Sequence, residues 1–152
     1  AFTHPQGRFR VRWPANCVGV RTRLQENASA PGQYDMVSAT GVVDGDPDCG
    51  YTVWAWFNEA DGAAATAERV TSRMAAIIGS RKLTIVKQGP IMRLGMEGAV
   101  AYCREEATGL IFWIEAYLSL GRTLLVAAWE RGDYMFADPE ILRFFRSVEF
   151  VD

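Results

Sequence analysis

The sequence predicts an α+β domain in which two helices pack on an antiparallel β-sheet of six or more strands. Short runs of alternating apolar and polar residues recur along the chain, and glycine or proline separates them. Two segments have helical periodicity instead, one at about 61–80 and one at about 139–146. Because the chain has 152 residues and contains no repeat or linker, we expect a single domain over residues 1–152.

The N-terminal part contains four predicted strands. Phe9, Val11 and Trp13 alternate with arginines over residues 7–13, which indicates a strand with one apolar face that ends at Pro14. The same alternation is weaker over 18–25, and a polar loop at 26–33 follows it. Strands at 34–43 and 51–58 flank an acidic loop at 44–50 and are predicted to form a hairpin.

The long helix is predicted at residues 61–80. Glu59 and Asp61 lie at its start and Arg81 and Lys82 at its end, which is the order of charges that the helix dipole favours. Its apolar side chains fall on one stripe, which consists of Ala63, Ala67, Val70, Met74, Ile77 and Ile78.

The second half is predicted to contain four more strands, at about 83–93, 98–106, 109–120 and 122–131. Asp138 and Pro139 then have the character of an N-cap and a first helical residue, so a short helix begins there. The strands near 51–57 and 110–118 are apolar on both faces. We therefore expect the two helices to cover opposite faces of the sheet.

Positive charge is concentrated near the N-terminus. The net charge is −2, but residues 1–25 contain five arginines and no acid. If the strand at 18–25 forms a hairpin with the first strand, all five arginines form one positively charged surface. Such a surface would bind an acidic protein, a phosphate or an anionic lipid. Alternatively, they pair with acids elsewhere or protect a strand edge. The five are Arg8, Arg10, Arg12, Arg21 and Arg23.

The order of elements resembles the PsbP-like family, which includes the extrinsic PsbP subunit of photosystem II, a Ran-binding nuclear-import factor and many bacterial secreted or lipid-anchored proteins. The opening segment 2–14 is similar to the family's first strand, with an aromatic residue, a proline and a glycine before it. Segments 95–98, 99–129 and 145–150 are similar to its second half. The resemblance implies no shared catalytic residues, and it implies a periplasmic, extracellular or cell-envelope setting, with a cytoplasmic one left open.

The three cysteines do not form a zinc motif, because no Cys-x-x-Cys occurs and His4 is the only histidine. Cys103 lies within a predicted strand and is expected to be a small buried side chain. Cys17 and Cys49 follow loop-like segments, so a disulfide, if one forms, is predicted to link these two residues. The exported members of the PsbP-like family favour the same pairing.

The sequence offers little catalytic chemistry. His4 is interpreted as an incidental surface residue, which leaves no base for a serine or cysteine nucleophile, and no nucleotide-binding glycine loop occurs. Glu105, Glu106 and Glu115 lie on adjacent predicted strands; they could meet as an acid–base pair, but strand-end carboxylates facing Arg104 or Arg122 are the favoured interpretation.

Two further groups of residues have a binding and a structural interpretation. Asp44, Asp46 and Asp48 have the spacing of a calcium loop, but position twelve is Ala55, so a solvated acidic turn is favoured. Trp54 and Trp56 share a face; they would form an aromatic platform for a ligand if exposed, and cover by the long helix is favoured.

We therefore expect a non-catalytic binding or accessory module that docks a protein partner, with an acidic partner suggested by the arginines. No cofactor, nucleic acid or transmembrane segment is expected, since the net charge is slightly negative and the longest apolar stretch, 110–120, contains Glu115. The alternative is a small-ligand carrier or enzyme with a curved, cone-shaped sheet and a pocket between that sheet and the long helix.

Overall fold

The strands and helices agree closely with the segments expected from the sequence. The computed structural model describes every residue except 7, 47, 58–62, 94, 120, 133 and 152, and for 63–67 and 134 it describes the backbone alone. The helices are α1 (Ala63–Ser80) and α2 (Pro139–Ser147), with a 3₁₀ turn at Tyr134–Phe136. The strands are β1 (Phe2–His4), β2 (Phe9–Val11), β3 (Cys17–Glu26), β4 (Tyr34–Val43), β5 (Gly50–Trp56), β6 (Leu83–Arg93), β7 (Met96–Glu105), β8 (Leu110–Ser119), β9 (Arg122–Arg131) and β10 (Glu149–Phe150).

A seven-stranded antiparallel sheet forms the centre of the fold, with the order β3-β4-β5-β9-β8-β7-β6. The strands β1, β2 and β10 form a separate three-stranded sheet. β5 and β8 are inner strands whose side chains contribute to a core on each face of the sheet, which explains why both of their faces are mostly apolar. The predicted α+β fold class with a sheet of six or more strands is confirmed.

The two helices cover opposite faces of the large sheet, as predicted. α1 packs across β6 to β9, where Val70 and Met74 are buried against Ile114 and neighbouring strand residues. α2 and the small sheet pack on the other face, where the Phe145 ring stacks on the Trp113 ring with 4.1 Å between centroids. Successive residues of β9 alternate between these two cores, as the period of a strand requires.

The helix ends agree with the sequence signals where the structure describes them. The Asp138 side chain caps α2 by accepting a hydrogen bond of 2.9 Å from the Glu140 N–H, and Pro139 is the first helical residue. α1 ends at Ser80, and Lys82 follows with a φ of +54°. Glu59 and Asp61, the acids predicted at the start of α1, lie outside the described residues.

The hairpin considered above between the first strand and residues 18–25 does not form. β2 pairs with β1 and β10, whereas β3 pairs with β4 in the large sheet. The chain reverses before β2 through Arg8, whose φ is +47° and whose N–H donates to the His4 carbonyl. This turn folds β2 back onto β1, a strand of three residues that is too short for its alternation to be recognised.

His4 is not the surface residue that its position near the N-terminus predicts. The side chain is 1% exposed, and its ring lies 5.2 Å from the ring of Phe9, the residue that faces it across the β1–β2 ladder. Burial lowers the pKa of His4 from its ordinary value of 6.5, although a hydrogen bond with the backbone of Ser38 acts in the opposite direction. The segment before β2 is therefore part of the core.

Burial of His4 predicts a pH dependence of stability. Because the pKa is lower in the folded state, the unfolded state binds the proton more readily, and stability is expected to fall as the pH drops below about 6.5. Denaturation midpoints between about pH 7.5 and 5 measure this fall, and His4→Phe should reduce it. An unchanged slope in His4→Phe would contradict the assignment.

Candidate functional site

The structure divides the five arginines between two surfaces. Phe9 and Val11 are buried beneath the small sheet, so the arginines of the 8–12 segment lie on its outer side. Arg21 and Arg23 lie on β3 opposite Thr40 and Ser38 of β4, and these two residues in turn lie opposite β5 residues whose side chains are on the α1 face. Side chains paired directly across strands share a face, so both arginines lie on the α1 face of the large sheet. The single positively charged surface expected from the sequence is therefore two surfaces on opposite faces of the large sheet.

Most of these arginines have no acidic partner among the described residues. Arg10 forms an ion pair with Glu149 on the neighbouring strand β10. Within the part of the chain that the structure describes, the other four form no ion pair: Arg8, Arg12, Arg21 and Arg23. The alternative interpretation, in which arginines are neutralised by acids elsewhere in the fold, therefore applies to Arg10.

A polar cleft of about 370 Å³ lies between α1 and the ends of β3 and β4. Its walls include Gln25, Asp35 and Trp56, together with Arg69 and Arg73 of α1. The Arg73 guanidinium lies 4.7 Å from the centre of the Trp56 ring, a distance typical of a cation–π contact.

Trp54 and Trp56 do not form an open aromatic platform. Both are half-buried against the α1 core, and their rings meet edge to face at 5.7 Å. A side chain of α1, Arg73, lies over the second ring, which agrees with the favoured interpretation of cover by the long helix.

An apolar groove of about 620 Å³ separates α1 from the β6–β7 hairpin. Met74, Ala75 and Ile78 line it on the helix side, and Ile85 and Ala99 line it on the sheet side. The groove is open and lies at the edge of the sheet, where β6 has a bulge between Ile85 and Lys87. Its volume lies in the range typical of small-molecule sites.

Glu115 is the centre of a buried polar network on the α2 face. It is 1% exposed, and it accepts hydrogen bonds from the Trp113 Nε1–H at 2.9 Å and from the Tyr117 hydroxyl. Nη2 of Arg93 lies 2.8 Å from Oε1 of the same carboxylate, and Nε of Arg93 donates to the Tyr117 hydroxyl at 3.0 Å. Burial and the Glu115 carboxylate both raise the pKa of Tyr117.

The interpretation of Glu115 as an exposed strand-end carboxylate is therefore wrong. It lies in the middle of β8, and its cation is Arg93 of β6 rather than Arg104 or Arg122. Arg93 and Tyr117 are site residues that the sequence did not reveal. The available signal was a glutamate inside an apolar strand, with Trp and Tyr two residues away on the same face.

The other two glutamates do not meet Glu115. Glu105 faces α1, where its carboxylate lies 3.4 Å from Nη2 of Arg81, and Glu106 is an exposed turn residue. Glu105 lies opposite Leu110 and Glu115 opposite Val100, so the register separates them by five residues, roughly 17 Å. No two of these carboxylates form an acid–base pair.

Cys17, the first residue of β3, lies near Cys49, which directly precedes β5, and all three thiols are free. The Asn16 side chain lies 3.2 Å from the Tyr51 hydroxyl and 3.9 Å from Sγ of Cys49, and Cys17 Sγ occupies the space beside Gly41. Burial raises the pKa of Cys17 to about 11, and the nearby Cys49 adds to this effect. Burial alone raises the pKa of Cys103 to about 11.

Under oxidising conditions, a disulfide is expected to form between Cys17 and Cys49 while Cys103 stays free. The first two thiols are half-buried neighbours, whereas Cys103 is fully buried beneath α1. Non-reducing peptide mapping by mass spectrometry measures the pairing, with Cys103→Ser as the control that should leave it unchanged. A bridge that includes Cys103 would contradict the expectation.

In the acidic loop at 44–50, the carboxylates of Asp46 and Asp48 bond to other groups of the protein. Asp46 accepts a hydrogen bond of 3.0 Å from the Asp48 N–H, and the Asp48 carboxylate lies 3.0 Å from Nη2 of Arg131. Asp44 is exposed. Among the described residues, no three His, Cys, Asp or Glu side chains converge on a metal position.

Comparison with known proteins identifies the fold. No family model and no curated protein sequence matches the chain. Among solved structures, the chain is similar to cyanobacterial PsbP from Synechocystis sp. PCC 6803, with a TM-score of 0.64, 10% identity, and coverage of 98% of this chain and 90% of the other. The chain has a PsbP-like fold.

The chain is also similar to two other solved structures. A protein of unknown function from Pseudomonas aeruginosa has a TM-score of 0.50 and 11% identity, over 85% of this chain and 81% of the other. A protein from Bacteroides thetaiotaomicron has a TM-score of 0.54 and 13% identity, and the match spans 99% of this chain but 48% of that one. Among the described residues, neither helix combines the length and apolar character needed to cross a membrane.

Proposed function

We propose that this protein is a non-catalytic binding module that docks an acidic protein partner in a periplasmic, extracellular or cell-envelope setting. The observation that carries the proposal is the pair Arg21 and Arg23, which are exposed on an outer strand and form no ion pair with described residues. Unpaired arginines on a surface retain their full charge for a partner, and they accelerate association through long-range attraction. The PsbP-like fold agrees with this proposal.

The placement of the titratable groups supports a non-catalytic role. The oxygens of Glu115 are occupied by hydrogen bonds from the protein itself, so the carboxylate has no free position for a substrate proton. The side chain of His4 is 1% exposed and lies beneath the small sheet beside Phe9, so its imidazole is closed off from a substrate in solution.

A charge-removal series tests the docking function. Proteins that bind to the immobilised wild-type chain would be identified and purified. The dissociation constant of each would then be measured for the wild-type chain and for the variants Arg21→Ser/Arg23→Ser and Arg8→Ser/Arg12→Ser. The proposal expects an acidic protein whose binding weakens about tenfold in Arg21→Ser/Arg23→Ser and weakens further as salt is raised, with Arg8→Ser/Arg12→Ser as the matched control. Unchanged melting temperatures would show that the variants are folded. Tight binding that is insensitive to the loss of Arg21 and Arg23 and to salt would overturn the proposal.

The groove beside α1 favours a second function, the carriage of a small apolar ligand. Its aliphatic walls and its volume of about 620 Å³ are the observations that support it. The catalytic version of this alternative is less well supported, because Glu115 lies on the opposite face of the sheet from the groove.

Substitutions on the exposed side of α1 test the carrier function. Ala75→Trp would fill the groove, whereas Ala76→Trp places the same side chain at a neighbouring exposed position outside it. If the groove holds ligands, the fluorescence of bound 1-anilinonaphthalene-8-sulfonate should be lost in Ala75→Trp and kept in Ala76→Trp. Equal binding by the two variants would exclude the groove as the site.

A further inference from the structure

β3 forms one edge of the large sheet. It pairs with β4 along one side, and no described strand lies along the other. The outward side of such an edge carries N–H and C=O groups that can pair with another strand. Between its irregular positions at Cys17/Gly19 and Gln25/Glu26, the strand is regular over residues 19–25 and contains no proline. This edge therefore offers a continuous template of seven residues.

The two faces of β3 differ in chemistry. Arg21 and Arg23 lie on the α1 face, and Val20, Thr22 and Leu24 lie on the other face. Leu24 is 45% exposed, although its neighbour across the ladder, Val37, is fully buried. A strand added at this edge would therefore meet positive charge on one face and apolar surface on the other.

The two edges of the sheet differ in what can pair with them. β6, at one edge, has features that limit the addition of any strand, whereas the arginines of β3, at the other edge, disfavour only pairing with a second copy of β3. β6 carries Pro90, which lacks an N–H, and a bulge next to Lys87, two features that limit strand addition. If two copies of β3 paired with each other, arginines would face or neighbour arginines, and like charges across a ladder are destabilising. Carboxylates in the same positions would be stabilising.

We propose that the free edge of β3 binds an extended segment of a protein partner by adding a strand to the sheet. The segment has acidic residues at alternate positions, which face Arg21 and Arg23, and apolar residues between them, which cover Leu24 and Val20. Main-chain hydrogen bonds supply the pairing, and the alternation supplies the specificity. The inference rests on the proposed acidic partner and specifies the form in which that partner is bound.

A capped octapeptide of alternating glutamate and valine is the probe. The wild-type chain should bind it, and the amides of residues 19–25 that do not donate to β4 should gain protection from hydrogen exchange. A peptide of the same composition with four glutamates followed by four valines should bind about tenfold more weakly, because its glutamates would lie on both faces of the added strand instead of on the one that faces Arg21 and Arg23. The alternating peptide with N-methyl groups on every second amide should also lose binding, because its pairing edge is blocked.

Charge-reversed variants locate the site. Arg21→Glu/Arg23→Glu should weaken binding of the alternating peptide at least about tenfold, whereas Arg8→Glu/Arg12→Glu, the matched control on the small sheet, should change it less than about twofold. All four positions are exposed, and thermal melts would verify folding.

Several results would overturn strand addition. They are equal binding of the three peptides, no binding of the alternating peptide, and binding that survives reversal of Arg21 and Arg23. If a purified acidic protein still depends on these arginines in any of these cases, the docking function stands and strand addition alone is rejected. If no acidic protein depends on them, the docking function fails as well.

Discussion

Replacing Arg93 by Leu is expected to lower the free energy of unfolding by about 3–5 kcal/mol. Arg93 is the cation of the buried Glu115 carboxylate, with Nη2 2.8 Å from Oε1, and the leucine would leave that charge in the core without a counter-ion. The Trp113 and Tyr117 donors would remain, but neither carries a charge. Denaturation by urea, followed by tryptophan fluorescence, measures the loss.

Two variants separate loss of the buried ion pair from loss of an arginine in general. Arg10→Leu breaks the exposed pair with Glu149 and is expected to cost less than about 1 kcal/mol. Adding Glu115→Gln to Arg93→Leu removes the buried charge and should recover a large part of the lost stability. An Arg93→Leu cost no larger than that of Arg10→Leu would contradict the role assigned to this pair.

The network around Glu115 shows what a sequence reveals and what it conceals. The strand that contains Glu115 follows directly from its apolar residues and flanking glycines. The identity of its partner, Arg93, cannot be predicted in the same way. Arg93 lies two strands away in the sheet, and its position depends on the register of two hairpins. Register is fixed by turn geometry and by packing of whole faces, which local periodicity does not contain.

The arginine surfaces show the same limit at the level of topology. The alternation over 8–13 correctly predicted which residues face solvent, whereas over 18–25 Thr22 and Leu24 are exposed as well as Arg21 and Arg23. It did not predict that the first segment pairs with β1 and β10, since a three-residue and a two-residue strand carry almost no periodic signal. As a result, the five arginines were expected on one surface and lie on two. The docking proposal therefore depends on Arg21 and Arg23 without the support of the N-terminal group.

The Glu115 network also bears on the proposed strand addition. Its polar groups are hydrogen-bonded to one another on the α2 face, while the exposed charge and the exposed apolar side chains of β3 lie at the far edge of the sheet. Buried polar groups that are all hydrogen-bonded favour a single arrangement of the core. A rigid sheet is the scaffold that strand addition at β3 requires, since a preformed edge avoids the entropy cost of ordering it.

Gly98 is the position at which the smallest substitution is expected to have a large effect. A Cβ atom there would lie 2.1 Å from the Ala116 carbonyl oxygen and 2.6 Å from Cδ1 of Tyr117, so the Tyr117 ring occupies the space of the missing side chain. Ala116 contributes backbone, which cannot move aside without shifting β8. Gly98→Ala is therefore expected to lower the free energy of unfolding by about 3 kcal/mol or more.

Gly89→Ala is the matched control for this substitution, since Gly89 lies in the same hairpin and a Cβ there has no atom within 4 Å. It is expected to change stability by less than about 1 kcal/mol, in the stabilising direction, because alanine has fewer unfolded conformations than glycine. Urea denaturation compares the two variants. Because Gly98→Ala displaces Tyr117, it should also weaken the Arg93–Glu115 pair, so adding Arg93→Leu to it should cost less than in wild type. Full additivity of the two losses would show that Gly98 acts independently of the network.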